Sequence, residues 1–263
     1  MILRRFTASL RRQDWTAVAV ELVVVVLGVF IGVQASNWNQ ARADRAREHV
    51  LLQELRGEIA ESMQQTQIKL RAFEQVGTSG QQAIAFLDAG KSCSDQCWPV
   101  LVDFFHASQW QLPEVRLPTY EEMRCNGWPR QREIVNAVED YLRQSTQVNA
   151  PLRQPPAYRS LVRGLIPLAA HAPYWKNCFR LANGEETYVE PCPAGVSPQL
   201  AAAAVAAIAA NPDIHRTLTE WTGFMSGYVT SLEGQNQAAR QALTVIDAEL
   251  AQESESQGSP KQD

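Results

Sequence analysis

The sequence predicts a mostly α-helical protein with a single N-terminal transmembrane helix. A largely apolar run of twenty residues follows a short basic tail, and two long segments with helical apolar spacing come after it, one next to the run and one near the C-terminus. We expect the first segment to continue from the membrane as a long helix that packs antiparallel on a long C-terminal helix. A small helical cap that contains a β-hairpin is expected between them.

Composition narrows the class of protein. The chain has 263 residues, of which 45% are hydrophobic and 20% are charged, and this balance is typical of a globular protein. Basic residues number 24 and acidic residues 28, which gives a net charge of −4. Such a chain has no basic excess for binding nucleic acid, so we expect no nucleic-acid partner.

Residues 16–36 are predicted to cross a lipid bilayer, after a cytoplasmic basic tail at 1–15. Twenty helical residues rise about 30 Å, which matches the hydrocarbon core of a bilayer. Trp15 and Trp38 flank the run, where interfacial aromatic residues are expected. The alternative is a signal peptide that is cleaved after Ala35, although the apolar run is longer than the core of such a peptide.

One face of the predicted span carries small and polar residues. Ala17, Glu21, Gly28 and Gly32 fall within about 40° of one another on a helix. A G-x-x-x-G pair lets two helix backbones approach closely, and a carboxyl group inside a bilayer is costly unless it has a partner. We therefore expect this face to bind a second copy or a partner membrane protein. The alternative is that Glu21 reaches the headgroups or stays protonated, and that the glycine spacing is chance.

Two stretches of the chain carry a family resemblance. Residues 21–34 (ELVVVVLGVFIGVQ) and 37–39 (NWN) have the pattern E-x-V-x-x-x-x-G-V-x-I-x-x-Q followed by N-W-N. This pattern resembles a bacterial family of uncharacterised single-span inner-membrane proteins with a short basic tail and a helical extracytoplasmic part. A looser likeness lies at 118–127, where the family more often has Leu at the Met123 position and Ser at the Asn126 position. The helix positions that continue this likeness are Ile134, Val138 and Tyr141. The resemblance implies location and architecture, and it implies no activity, substrate or cofactor.

The expected location is the inner (plasma) membrane of a bacterium, with the N-terminus in the cytoplasm and the C-terminal domain in the periplasm. Four arginines precede the span and three follow it closely, which is a small bias toward this orientation. The short N-terminal tail and the cysteine content favour the same orientation. Acidic residues outnumber basic ones after residue 35, which suits a domain that faces the periplasm.

Residues 37–90 are predicted to form a membrane-proximal long helix followed by a short one. The long helix covers 37–76, and Gly77–Gly80 is expected to break it. Ser79 and Gln82 resemble a capping box for a short helix that ends at Asp88. The apolar positions with helical spacing are Leu52, Leu55, Ile59, Met63, Leu70 and Phe73.

Residues 199–252 are predicted to form the C-terminal helices, before a disordered tail at 253–263. The Ala-rich stretch 199–210 favours a short helix by propensity, and Asn211-Pro212 is typical of a helix start. The apolar stripe that follows spans about 55 Å of helix and contains Ile214, Leu218, Trp221, Met225, Tyr228, Leu232, Asn236, Ala239, Leu243, Ile246 and Leu250. We expect it to pack antiparallel on the helix at 37–76. The alternative is that either stripe pairs with another subunit, as in a coiled coil.

Residues 91–198 are predicted to form the cap. Several prolines divide this region into short elements. The expected elements are helices at 98–108, 129–148 and 156–171 and a β-hairpin at 179–189 with an Asn183-Gly184 turn.

The five cysteines predict disulfides in an exported domain. Cys178 and Cys192 bracket the predicted hairpin and could join its base. Cys93 and Cys97 are four residues apart, which is within bridging range in a helix or turn. Cys125 is then left over. The alternative, a redox function, is not favoured because C-x-x-x-C is not the thioredoxin spacing.

The sequence predicts no catalytic, cofactor-binding or metal site. It lacks a Walker A loop, a dinucleotide fingerprint and a G-x-S-x-G elbow, and its histidines are scattered at 49, 106, 171 and 215. The first hypothesis is therefore a membrane-anchored scaffold or interaction protein without catalytic activity. The second is a periplasmic small-molecule sensor that signals through a partner membrane helix, because a tail of 15 residues holds no signalling domain. The third is a periplasmic enzyme with a site in the cap.

Overall fold

The computed structural model describes the backbone of residues 15–94, 96–182 and 185–258, and the side chains of all of these except 15–19, 21 and 255–258. The chain divides between Leu51 and Leu52 into two compact units. The described part is mostly helical, as predicted. Its elements are α1 (Trp15–Asp88), α2 (Cys97–Ala107), α3 (Pro118–Cys125), α4 (Arg132–Asn149), a 3-10 turn (Ala150–Arg153), α5 (Ala157–Leu165), α6 (Leu168–Asn177), β1 (Phe179–Ala182), β2 (Glu185–Tyr188), α7 (Pro198–Ala209) and α8 (Pro212–Gly258).

Beyond Leu52, α1 packs antiparallel on α8, which confirms the predicted helix pair. As the residue numbers of the contacting positions increase along α1, those of their partners on α8 decrease. In order along α1, the contacts are Arg56 with Asp247, Thr66 with Gln235, Phe73 with Tyr228 and Asp88 with His215. The apolar positions of both stripes supply the core between the helices, where Leu52, Ile59, Leu218 and Leu232 are fully buried.

Helix α4 completes a three-helix bundle with these two helices. Tyr141 on α4 is hydrogen-bonded to Ser62 on α1, with 2.8 Å between their hydroxyl oxygens. At the far end of α4, the hydroxyl of Tyr228 on α8 donates to Asn149 Oδ1 at 2.6 Å. Buried residues of α4 recur at three- and four-residue spacing, which is the pattern of an amphipathic helix in a bundle.

The predicted helix break at 77–80 is wrong, because α1 continues through it to Asp88. Gly80 permits close helix packing and does not end the helix. A Cβ atom on Gly80 would overlap Oγ1 of Thr222 on α8, whereas a Cβ on Gly77 would lie at an ordinary contact distance of 4.0 Å from Cβ of Met225. The absence of a side chain at Gly80 therefore lets the two helices approach each other.

Three further differences concern element boundaries. The helix predicted over 156–171 is split into α5 and α6 by Pro167, which lacks the backbone N–H that a continuous helix needs. Helix α3 was not among the predicted elements. Helix α8 runs to Gly258, so the disorder predicted for 253–258 is wrong, since the Glu and Gln residues there are good helix formers. Residues 259–263 lie outside the described chain.

The cap is built from α2, α5, α6, α7 and the hairpin. Its core is aromatic, with the rings of Phe105 on α2 and Tyr174 on α6 stacked 4.1 Å apart. Strands β1 and β2 pair antiparallel, with Phe179 opposite Tyr188. The hairpin is therefore confirmed, whereas its predicted turn residues, Asn183 and Gly184, lie outside the described residues.

Candidate functional site

The apolar stretch of α1 is uncovered. Its large hydrophobic side chains between Leu22 and Val33 are 50 to 64% exposed. In the part of the chain that the structure describes, one helix is long and apolar enough to cross a membrane, and its mean hydropathy over the relevant window is 1.6. Since a continuous apolar surface is unfavourable in water, this stretch favours an apolar environment.

Two of the four predicted interface residues of the span, Gly28 and Gly32, lie on this same stretch. A Cβ atom on Gly28 or on Gly32 would meet no atom within 4 Å. The glycine face is therefore open to a second helix backbone. The side chains of Ala17 and Glu21 lie outside the described residues, so the predicted polar stripe is described only at its glycines.

Both predicted cysteine pairings coincide with bonds in the structure. Cys178 precedes β1 and is bonded to Cys192 after β2, with 5.0 Å between their Cα atoms. Cys93 is bonded to Cys97 at the start of α2, with a Cα–Cα distance of 5.3 Å. Cys125 is a free and exposed thiol at the end of α3. The two bonds close the base of the hairpin and the entry to α2.

Polar residues of α1 hold the second strand of the hairpin. Gln75 exchanges two hydrogen bonds with the backbone of Tyr188, donating to its carbonyl at 3.1 Å and accepting from its N–H at 3.2 Å. One turn before it, Arg71 forms an ion pair with Glu185 at 3.2 Å. One turn after it, Ser79 donates to Glu190 instead of capping a helix. This four-residue spacing places all three side chains on one face of α1.

His106, at the end of α2, is a buried structural residue of the cap. Its Nε2 lies 3.2 Å from the carbonyl of Cys178, and its Nδ1 lies 3.0 Å from Oε1 of Glu190. A carbonyl only accepts hydrogen bonds, so Nε2 is the donor to Cys178, and Nδ1 faces the side chain of Glu190. Burial lowers the pKa of His106, and the hydrogen bonds to Glu190 and Cys178 oppose this effect. Both ring nitrogens are therefore engaged within the cap.

Asp103 is a partly buried carboxyl group one turn before His106 on α2. Burial and then the charge of Glu190 raise the pKa of Asp103 to about 7. Two carboxyl groups in each other's field disfavour double ionisation. Asp103 therefore titrates near neutral pH, whereas an exposed aspartate titrates near pH 4.

Arg159 and Arg163, one turn apart on α5, meet at Ser108 just after α2. Arg159 Nη1 donates to the carbonyl of Ser108 at 2.7 Å, and Arg163 Nε donates to its hydroxyl at 2.9 Å. The indole of Trp175 covers the second guanidinium, with 5.2 Å from Arg163 Cζ to the ring centroid. Burial lowers the pKa of both arginines, and the charge of Arg159 contributes to lowering that of Arg163, to about 10.

Two glutamines and two tyrosines form a hydrogen-bonded group near these arginines. Gln109 donates to the hydroxyl of Tyr174 at 2.7 Å, and Gln111 donates to Glu186 at 3.0 Å. The hydroxyl of Tyr188 also donates to Glu186, at 3.1 Å. Burial raises the pKa of both tyrosines, so they are neutral hydrogen-bonding groups at physiological pH. We define the arginine–tyrosine cluster as Gln109, Gln111, Arg159, Arg163, Tyr174, Glu186 and Tyr188.

Sequence reasoning identified no residue of the arginine–tyrosine cluster. Its members come from the segment after α2, from α5 and α6, and from β2, so no local motif marks them. The available signal was the pair of arginines four residues apart on a short helix between prolines. In the described part of the chain, no group of three His, Cys, Asp or Glu side chains could hold a metal ion.

Comparisons with known proteins give no further assignment. No protein-family model, curated protein or solved structure matches this chain.

Proposed function

We propose that this chain is a single-pass protein of a bacterial inner membrane and that its helical domain is a periplasmic scaffold for another protein. The observation that carries the proposal is the uncovered apolar stretch between Leu22 and Val33. Together with the flanking helical residues it matches the thickness of a bilayer core. The likeness of residues 21–39 to single-span inner-membrane proteins supports the same location.

The cysteine bonds support a periplasmic location for the domain. Both bonds, Cys93–Cys97 and Cys178–Cys192, lie after the span in the sequence. Disulfides persist in oxidising compartments such as the periplasm and are rare in the cytosol. The four arginines before the span favour a cytoplasmic N-terminus. The proposed orientation therefore has the N-terminus inside and the disulfide-bonded domain outside.

The proposed role is binding, without a catalytic step. His106 and Glu190 are suited to acid–base chemistry, but they are bound to each other, and each has a second partner: the Cys178 carbonyl for His106 and Ser79 on α1 for Glu190. The open face at Gly28 and Gly32 supports association through the span, either with a second copy or with a partner membrane protein.

Crosslinking in the membrane tests this role. The full-length protein is crosslinked in intact cells, purified from carbonate-washed membranes and compared with a Glu21→Leu/Gly28→Leu variant. We expect a crosslinked dimer or hetero-complex in the wild type and its loss in the variant, because a leucine at residue 28 separates the helix backbones. Val26→Leu is the matched control, since residue 26 lies on the opposite side of the helix from residue 28.

Three results would contradict the proposal. A protein that carbonate washing releases from the membrane is not an integral membrane protein. A wild-type protein that crosslinks to nothing, or a complex that persists equally in the variant, would exclude the glycine face as the contact.

A ligand sensor is the second candidate function for the same domain. The observation that favours it is the arginine–tyrosine cluster, where two half-buried guanidinium groups meet away from any described ion pair. A ligand there would contact α5, α6 and the hairpin together. This candidate requires the cluster to bind a small molecule, whereas the scaffold role does not.

A further inference from the structure

Ser108 brings two positive charges into one half-buried site. Because Arg159 bonds to its carbonyl and Arg163 to its hydroxyl, both guanidinium groups lie around a single residue. The positive charges of Arg159 and Arg163 repel each other, and partial burial strengthens the repulsion. The arrangement is therefore costly unless a negative group balances it.

The described chain supplies little of that balance. None of its carboxylates forms an ion pair with either arginine. The charge of Glu186 acts on Arg159, but its Oε2 already accepts hydrogen bonds from Gln111 and Tyr188. Glu186 also faces Lys69, an additional cation that is partly buried. This one carboxylate is thus shared between Arg159 and Lys69, and the charge on Arg163 is left without it.

Part of the hydrogen-bonding capacity of Arg163 is unused. Its Nε is bound to Ser108, and the Trp175 indole covers one face of its guanidinium group. Its Nη2 is buried and has no hydrogen-bond partner among the described residues. A buried N–H of a charged group without an acceptor is destabilising, and native proteins seldom leave one unmatched. The Nη1–Nη2 edge is also the geometry that binds two oxygens of a carboxylate or phosphate.

We propose that Arg159 and Arg163 form a binding site for a small oxyanion, which is a phosphate or the carboxylate group of a small molecule. The anion accepts hydrogen bonds from the free guanidinium N–H groups and balances the charge that Glu186 leaves uncompensated. The neutral hydroxyl of Tyr174 and the amide of Gln109 lie beside this site as further polar groups. This proposal goes beyond the scaffold role and does not depend on membrane orientation.

The rival explanation is that the arginines only cap the C-terminal end of α2. Cations near a helix C-terminus are favourable, and Ser108 follows α2 directly. A capping role uses the bonds to Ser108 and requires no bound anion. The two explanations differ in whether the protein responds to oxyanions in a saturable way.

Thermal unfolding of the full-length protein in detergent distinguishes them. Sodium phosphate and sodium acetate are titrated separately, and sodium chloride keeps the ionic strength constant. We expect the unfolding temperature to rise to a plateau with at least one of the two probes, because binding to the native state stabilises it. The probe that acts at lower concentration identifies a phosphate or a carboxylate as the preferred group.

Variants assign the response to the two arginines. In Arg159→Gln and in Arg163→Gln we expect the half-saturating concentration to rise at least tenfold, since each removes charge-assisted hydrogen bonds to the anion. Arg180→Gln is the matched control, because Arg180 also donates to a backbone carbonyl but lies on β1. We expect its response to equal that of the wild type. Arg159→Gln alters a partly exposed side chain, so it tests the site even if Arg163→Gln does not fold.

Three results would overturn the proposal. The first is a wild-type protein that shows no saturable response to either probe. The second is a response that sodium chloride reproduces at equal ionic strength. The third is a response that Arg159→Gln leaves unchanged.

Discussion

Replacement of Gly80 by alanine tests the close approach of α1 and α8. The new Cβ would overlap Oγ1 of Thr222 and would lie 3.1 Å from its Cγ2 and 3.2 Å from its Cβ. Rotation of the threonine side chain leaves the 3.2 Å contact with its Cβ in place, because Cβ does not move with χ1. Threonine is also restricted in χ1 within a helix. The helices must therefore separate locally, or the side chain must leave its preferred rotamer.

The expected change in unfolding free energy for Gly80→Ala is the sum of two opposing effects. Overpacking a well-packed core costs about 1–3 kcal/mol. Alanine is favoured over glycine in a helix by about 1 kcal/mol. The expected net result for Gly80→Ala is a loss of unfolding free energy of about 0–2 kcal/mol.

Gly57→Ala is the matched control for this substitution. Gly57 lies on the same helix, and a Cβ there would meet no atom within 4 Å. Gly57→Ala should raise the unfolding free energy through helix propensity alone. The unfolding free energies of the two variants should therefore differ by about 1–3 kcal/mol. For a domain of about 200 residues, 1 kcal/mol corresponds to about 2–4 °C in Tm.

The assay is thermal unfolding of the full-length protein, followed by circular dichroism. A Gly80→Ala/Thr222→Ala double variant should recover stability relative to the sum of the single changes, because the second change removes both γ atoms. Equal Tm values for Gly80→Ala and Gly57→Ala would refute the close packing of α1 on α8 at this position.

Three further predictions concern the cap. Replacing Cys178 and Cys192 by serine should lower the unfolding free energy by about 3 kcal/mol, because the bond closes a loop of about 14 residues. An unchanged denaturation midpoint would contradict a stabilising role of this disulfide. Asp103→Asn should flatten the pH dependence of Tm between about pH 4 and 7. Burial raises the pKa of Asp103 to about 7, so the folded state binds the extra proton and wild-type stability falls as pH rises through this window. Gln75→Leu should cost about 1–3 kcal/mol, because it leaves the N–H and C=O of Tyr188 without their partner, and hydrogen exchange of the Tyr188 amide should increase.

The helix pair was predictable because its signal is local and repeated. Apolar residues recur with helical spacing along both segments, and most of the same positions form the core of the bundle. Leu55 and Ile59 on α1 and Leu218 and Ile246 on α8 are all fully buried. Antiparallel packing follows because the intervening cap returns the chain to the start of α8.

The glycine positions in α1 were misread for a physical reason. Propensity treats Gly77 and Gly80 as helix breakers, because glycine gains more freedom than other residues in the unfolded chain. In the folded protein both lie within the continuous helix α1, and Gly80 leaves room for the side chain of Thr222 on α8. Sequence spacing does not distinguish a glycine that ends a helix from one that admits a neighbouring helix.

The arginine–tyrosine cluster could not be predicted because its residues meet only in the folded cap. Ser108, which joins Arg159 and Arg163, is about fifty positions before them in the sequence. Glu186 comes from β2, and its carboxylate accepts hydrogen bonds from Gln111 and Tyr188. Interactions of this kind depend on how the elements pack and leave no periodic pattern.

The most direct measurement on the central proposal is the accessibility of Cys125 from the periplasmic side. It is the free, exposed thiol, and the other four cysteines are bonded. Spheroplasts that contain the full-length protein are treated with a membrane-impermeant maleimide before and after lysis, with Cys125→Ser as the control for background. The proposed orientation predicts equal labelling in intact and lysed spheroplasts. Labelling that requires lysis would place the domain in the cytoplasm and contradict the account.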